Sequence, residues 1–276
     1  MQACYRGAAG FRCCVALVVA TTVALAAEVR AKDTGTSAAE VEESSRQQIP
    51  YDKLDDDARR KVDAVLSNVS LFRRLPTQVF RCDPELFYFM TTHPDVTVNL
   101  WQVLDLSNID VTRTGKTTFR ADDGVGTVSD LQYLYTSHDT QVVYAVGTYN
   151  GPLFRTPVRG GCLLLLKTGY IREPDGNHYV TARLDAFFRI DHLGLELVTK
   201  TFQSVVHSTA DKNVRQAALF LRNLSLAAEY DPEHMRRLST KLTKVRPELR
   251  EAFANIAAEA ARRSKRLRVR PAGHLQ

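Results

Sequence analysis

Six consecutive stretches rich in β-branched and aromatic residues, 109–113, 116–121, 126–135, 140–148, 162–170 and 178–190, constrain this chain more than any other feature. They are separated by short turn signals: Thr114-Gly115, Asp122-Asp123-Gly124, Ser137-His138-Asp139, Asn150-Gly151-Pro152 and Glu173-Pro174-Asp175-Gly176. Strands joined this way predict an antiparallel meander. In the last stretch Val180, Ala182, Leu184, Ala186, Phe188 and Ile190 alternate with Thr181, Arg183, Asp185 and Arg189. That period of two predicts one buried face and one wet face carrying an Arg183–Asp185 salt bridge.

Helical periodicity flanks the meander on both sides. Residues 52–73 place Leu54, Ala58, Val62, Val65, Val69 and Phe72 at helical spacing, with Asp52 and Asp55 as a capping pair. After a short extended segment at 77–82, Asp83-Pro84-Glu85 opens the first of two short helices, 84–92 and 94–104, which His93-Pro94 separates. Beyond the meander the helical period returns through Leu195, Val198, Phe202 and Val205, then Val214, Ala218, Leu221 and Leu224. Two more helical stretches, 233–245 and 247–267, end the chain.

The composition, 44% hydrophobic and 25% charged over 276 residues, suits one globular domain with appendages. The net charge of +6 is uneven. Arg262, Arg263, Lys265, Arg266, Arg268 and Arg270 crowd one end, and the first 26 residues hold Arg6 and Arg12 without an acid. Setting these eight aside leaves 29 of the 37 basic residues against 31 acids, so the body is near neutral. Arg6, Arg12, the apolar run 13–27 and the small-x-small sequences Ala24-Leu25-Ala26 and Val29-Arg30-Ala31 read as an export signal cleaved after about 26 to 31 residues. A membrane anchor at 13–27 is the alternative, although the run falls short of the roughly 20 residues a spanning helix needs. Residues 27–51 hold few large apolar groups and read as a disordered linker.

Reactive motifs are sparse. Arg113-Thr114-Gly115-Lys116-Thr117 ends like a phosphate-binding loop, but Asp110 stands where its first glycine belongs and a strand follows. Gly-x-Ser-x-Gly, His-Glu-x-x-His and paired Cys-x-x-Cys are absent from the sequence. His138-Asp139 and Asp191-His192 are acid–imidazole neighbours at turns, where solvated polar residues are expected in any case. The sequence therefore predicts no catalytic group, metal or cofactor. Cys82 and Cys162 either form one disulfide or remain two buried thiols.

One strand, two short helices, six antiparallel strands and a long helix resemble the helix-grip fold of the START and Bet v 1 superfamily over residues 76–230. Asp191-His192-Leu193-Gly194-Leu195 followed by Val205, Gln216, Leu221 and Arg222 is similar to that superfamily's strand-to-helix transition. Pro94 to Trp101 resembles its second short helix. The implied fold is α+β: an N-terminal helix at 52–73, a helix-grip domain at 76–230, and a helical extension with a basic tail at 231–276.

The resemblance implies a space between sheet and closing helix that holds an apolar or lipid-like molecule, lined by Trp101, Tyr133, Tyr144, Phe188, Val198, Phe202 and Val205. The 149–160 segment, long for a hairpin connection, is either a lid or an ordinary loop. The implied function is non-catalytic binding or transfer of that molecule. An enzyme of the same fold and a module with a filled core are the alternatives. The six basic residues from Arg262 to Arg270 suit an anionic membrane surface, and export argues against a nucleic-acid partner.

Overall fold

The turn signals at 114–115, 122–124 and 137–139 become tight connections in the structure, a computed structural model that describes residues 30–32, 35–151, 156–174, 176–191 and 209–269. Side chains are described from 35 to 265. The elements in chain order are β1 (Arg30–Lys32), α1 (Ala39–Arg46), α2 (Asp56–Leu66), β2 (Leu71–Arg74), β3 (Thr77–Arg81), α3 (Pro84–Thr92), α4 (Pro94–Val103), β4 (Asp110–Arg113), β5 (Thr118–Asp122), β6 (Thr127–Thr136), β7 (Thr140–Tyr149), β8 (Val158–Arg172), β9 (His178–Asp191), α5 (Asp211–Tyr230), α6 (Pro232–Thr240) and α7 (Pro247–Val269). The protein is α+β, with one antiparallel sheet in the order β1-β3-β9-β8-β7-β6-β5-β4 and β2 paired to β9 as well. Strand β9 thus carries β8 along one edge and both β2 and β3 along the other: β2 opposite Asp185–Phe188 and β3 opposite Tyr179–Ala182.

Helix starts follow their caps. The Asp55 carboxylate accepts from the Ala58 amide, Asp83 accepts from the Glu85 and Leu86 amides, and Asp231 accepts from the His234 amide. Pro84, Pro94 and Pro232 occupy first helical positions, where the missing N–H costs nothing. The predicted helix at 52–73 is shorter: it stops at Leu66, and Leu71–Arg74 becomes β2. Val69 and Phe72 fit either period, and a free stretch of β9 edge decides for strand.

Both faces of the sheet are covered, contrary to the expectation of a wet outer face. Helix α2 lies over β8 and β9, burying Ala58, Val62 and Val65 with Phe72, Val142, Leu163, Leu165 and Phe187. Asp185, expected in solvent, is fully buried in an ion pair with Arg74 at 2.7 Å and accepts from the Ser45 hydroxyl at 2.7 Å. Arg183 lies 3.7 Å from the same carboxylate. Ser45 belongs to α1, inside the stretch predicted to be a disordered linker. That stretch also donates Arg46 Nη1 to the Leu66 carbonyl at 2.9 Å and buries Ile49. Its order comes from tertiary polar contacts, which a count of large apolar residues misses.

The opposite face carries α3, α4 and α5, and α6 and α7 pack behind them. Helix α5 buries Ala218, Leu221, Leu224 and Ala228 at three-and-four spacing. Helix α7 buries Phe253, Ala257 and Ala260 in the same cluster, with Leu249 and Ile256 packed against it. Its apolar face is therefore occupied by the domain. Arg263 makes a two-pronged pair with Asp83 at 2.8 Å and Arg262 bonds Glu259, so these two of the six tail residues are engaged within the chain. No helix among the described residues is long and apolar enough to cross a membrane.

Candidate functional site: an apolar cavity between sheet and helices

The helix-bearing face holds two apolar clusters, one centred on β4–β8 with Trp101 and one on α3, α5 and α7. A cavity of about 140 Å³ lies between them. Strands contribute Phe80, Tyr133, Val143, Leu164, Ala182 and Leu184 to its walls. Helices contribute Phe87 and Met90 from α3, Val98 and Trp101 from α4, and Val214, Ala217, Ala218 and Leu221 from α5. An apolar void of about 150 Å³ in another protein stays dry and takes up benzene, so this volume suits a single ring.

Local sequence explains the placement. Alternation on β7 sends Val143 into the cavity and Val142 to the α2 side. On β6 a register shift between Tyr133 and Tyr135 breaks that parity: Tyr133 pairs with Val143 and lines the cavity, whereas Tyr135 pairs with Val142 and packs toward α2. Without the shift both tyrosines would share one face.

Polar groups in the wall mostly turn away from the space. The Tyr133 hydroxyl donates to the Thr91 carbonyl at 2.6 Å, and burial pushes its pKa up, so it is a neutral donor. Gln141 Nε2 donates to Thr91 Oγ1 at 2.8 Å, and Thr97 Oγ1 donates to the Met90 carbonyl at 2.7 Å. These bonds knit the sheet to α3 and hold α3 to α4. Two atoms of wall residues make no such bond. Gln78 Oε1 and Trp101 Nε1 are buried with no hydrogen-bond partner among the described residues.

Of the predicted lining residues, Trp101 and Tyr133 meet in the cavity wall. Phe188 is buried in the cluster on the same side but is not part of the wall. Tyr144 departs from the expectation: it pairs with Leu163 and packs on the α2 side, since strand alternation separates it from Val143. Val198, Phe202 and Val205 lie outside the described residues, as do residues 152–155 of the predicted lid segment. Gln78 and Gln141 were missed. Gln78 had a legible signal, because it shares strand parity with Phe80 in the predicted segment 77–82.

The other sequence candidates lie elsewhere. His138 is an exposed ring stacked on Tyr88 at 4.2 Å, and Asp139 accepts from the Ser137 hydroxyl, which holds its carboxyl below the usual range. The stretch 113–117 joins β4 to β5, with Arg113 paired to the buried Asp95 at 2.8 Å. Cys82 and Cys162 are not bridged, and burial pushes the Cys82 thiol far up. No group of three or more potential metal ligands occurs among the described residues. The chain matches no family model and no curated protein, so its functional reading rests on the cavity.

Proposed function

We propose that this chain is a helix-grip domain of the START and Bet v 1 kind that binds, without transforming it, a small apolar molecule. The strand order β4-β5-β6-β7-β8-β9-β3, with α3 and α4 between β3 and β4 and a long helix after β9, supports the fold reading. The observation that carries the function is the cavity: about 140 Å³ between sheet and helices, walled almost wholly by apolar side chains. Among the described residues its one ionisable wall group, the Tyr133 hydroxyl, is committed to a backbone carbonyl, which favours binding over chemistry. The volume is below the roughly 300–1,000 Å³ of sites for drug-sized ligands. A single ring or the end of one acyl chain fits better than a whole diacyl lipid.

The short apolar run after Arg6 and Arg12 supports export and processing, so the ligand is met outside the cytoplasm. There Lys265 and the basic residues after it form a charged end suited to anionic lipid surfaces, which makes carriage between membranes the natural use of the cavity. Toluene tests the binding reading. A ligand at a hundred times its dissociation constant stabilises the native state by about 2.7 kcal/mol, so toluene should raise the melting temperature of the full chain saturably. Absence of a saturable shift overturns the proposal.

A further inference from the structure

Helices α3 and α4, which both wall the cavity, are joined by a single residue. His93 follows Thr92, the last residue of one, and precedes Pro94, the first of the other, with φ −125° and ψ 71° that belong to neither helix. Wall residues stand on either side of it, Met90 and Thr91 before, Pro94 and Thr97 after. The same corner ties this roof to the sheet, because Thr91 accepts from the Tyr133 hydroxyl through its carbonyl and from the Gln141 amide through Oγ1. The half-buried His93 ring pins the joint. It stacks on Phe89 at 4.3 Å, and Nδ1 donates to the Phe89 carbonyl at 2.9 Å. The charged groups that face it are Arg113 of β4, Asp95 of α4 and Arg246 just before α7. Asp95 already holds Arg113 in a two-pronged pair at 2.8 Å, so a proton added at Nε2 meets two guanidiniums and one acid that is already shared.

We infer that His93 is an acid-responsive hinge of the cavity: on taking up a proton its ring leaves Phe89 for solvent, the α3–α4 corner loosens, and the apolar molecule inside is held less tightly. This rests on the reading of the cavity as a binding site and adds its regulation. The direction follows from the contacts. Burial favours the neutral ring, and Arg113 and Arg246 act in the same sense against the Phe89 carbonyl and Asp95, so the charged ring is stabilised by reaching water. The state that accepts the proton is therefore one in which this corner is displaced. A ligand seated against Met90, Thr91, Pro94 and Thr97 binds that state less well and shifts the population away from it.

The test follows isotope-labelled histidine in the full chain by NMR as pH falls from neutral, with and without toluene, and measures toluene affinity by calorimetry. Toluene does not titrate, so any pH dependence of its binding belongs to the protein. Its affinity should be about threefold weaker about one pH unit below the His93 midpoint than above it, and saturating toluene should lower that midpoint by about half a unit, since linkage is reciprocal. His93→Gln cannot take up the proton and should keep the neutral-pH affinity of the parent within about twofold at both pH values. The NMR arm needs no variant, so it decides the matter even if His93→Gln fails to fold. Affinity that is level across the His93 midpoint, a midpoint unmoved by toluene, or an equal acid loss in His93→Gln overturns the hinge and leaves the cavity as a binding site. So does a ring that stays neutral until the chain unfolds. If toluene binds at no pH, the binding site itself falls, and this inference with it.

Discussion

The two faces of the sheet are built from alternate residues of the same strands and end in different states. Toward α2, Phe72, Val142, Leu163, Leu165 and Phe187 close into a solid layer, with the Phe72 and Phe187 rings 5.0 Å apart. Toward α4 and α5, the neighbouring Val143 and Leu164 border empty space. Composition does not separate the faces, since both are aliphatic and aromatic. The covering elements do. Helix α2 lies directly on β8 and β9, whereas the other face is roofed by three helices tied to the sheet at the margins, through Tyr133 to α3, Arg73 to Asp211 of α5, and Arg113 to Asp95 of α4. A roof held at its edges can stand off from the floor.

The contrast can be broken by substitution. The largest effect is expected from Phe187→Ala on the solid side, where a fully buried ring leaves a void that its neighbours cannot fill; the cost should be about 3–5 kcal/mol in denaturant unfolding. Asp185→Asn should follow at about 3 kcal/mol, because it leaves Arg74 beside a buried neutral group. A matched pair then measures hollowness. Ala58→Leu, on α2, should cost about 1–3 kcal/mol by overpacking, while Ala218→Leu, in the cavity wall, should stay within about 1 kcal/mol and lower toluene affinity. Equal destabilisation by the pair would mean that the two faces are equally full.

The smallest effect concerns His93, between α3 and α4 on the hollow side. Burial lowers its pKa, with Arg113 and Arg246 acting in the same sense against the Phe89 carbonyl and Asp95. Above about pH 6.5 the ring is neutral in both folded and unfolded chains, so it confers no pH dependence there. As pH falls below that value the unfolded chain takes the proton first, and native stability declines until the lowered folded pKa is passed. His93→Gln should remove this slope. Melting curves at pH 7.5 and 5.5 should therefore show the parent losing more on acidification than the variant.

What the sequence made legible follows from which signals are local. The six strands, the helices at 84 and 94 and the caps at Asp55 and Asp83 each depend on a few adjacent residues, and they appear within a few positions of the expected bounds. The two-sided burial of β9 was harder to see, because the partner of Asp185 is Arg74, 111 residues away. The same holds for α1, whose seryl anchor reaches across 140 residues. Within the site, Trp101 was named through the resemblance of its short helix, and the placement of Tyr133 depends on a register shift that alternation alone does not reveal. Gln78 was not singled out, although its parity with Phe80 pointed inward.

The clamp at Asp83 sets the order in which this chain can assemble. That carboxylate caps α3 and also receives Arg263, 180 residues downstream, while Arg81 and Ser264 both reach Glu229 of α5. Strand β3 likewise needs β9, about a hundred positions away, before its edge is paired. Contacts this distant in sequence are slow to close, since loop entropy is lost before any contact compensates for it. A nascent chain emerging from its amino end therefore carries an unsealed sheet until β9 has been synthesised, and an Asp83 without its Arg263 partner until α7 follows. The contacts of Asp83 and Glu229 are complete only when the 23-residue α7 is in place.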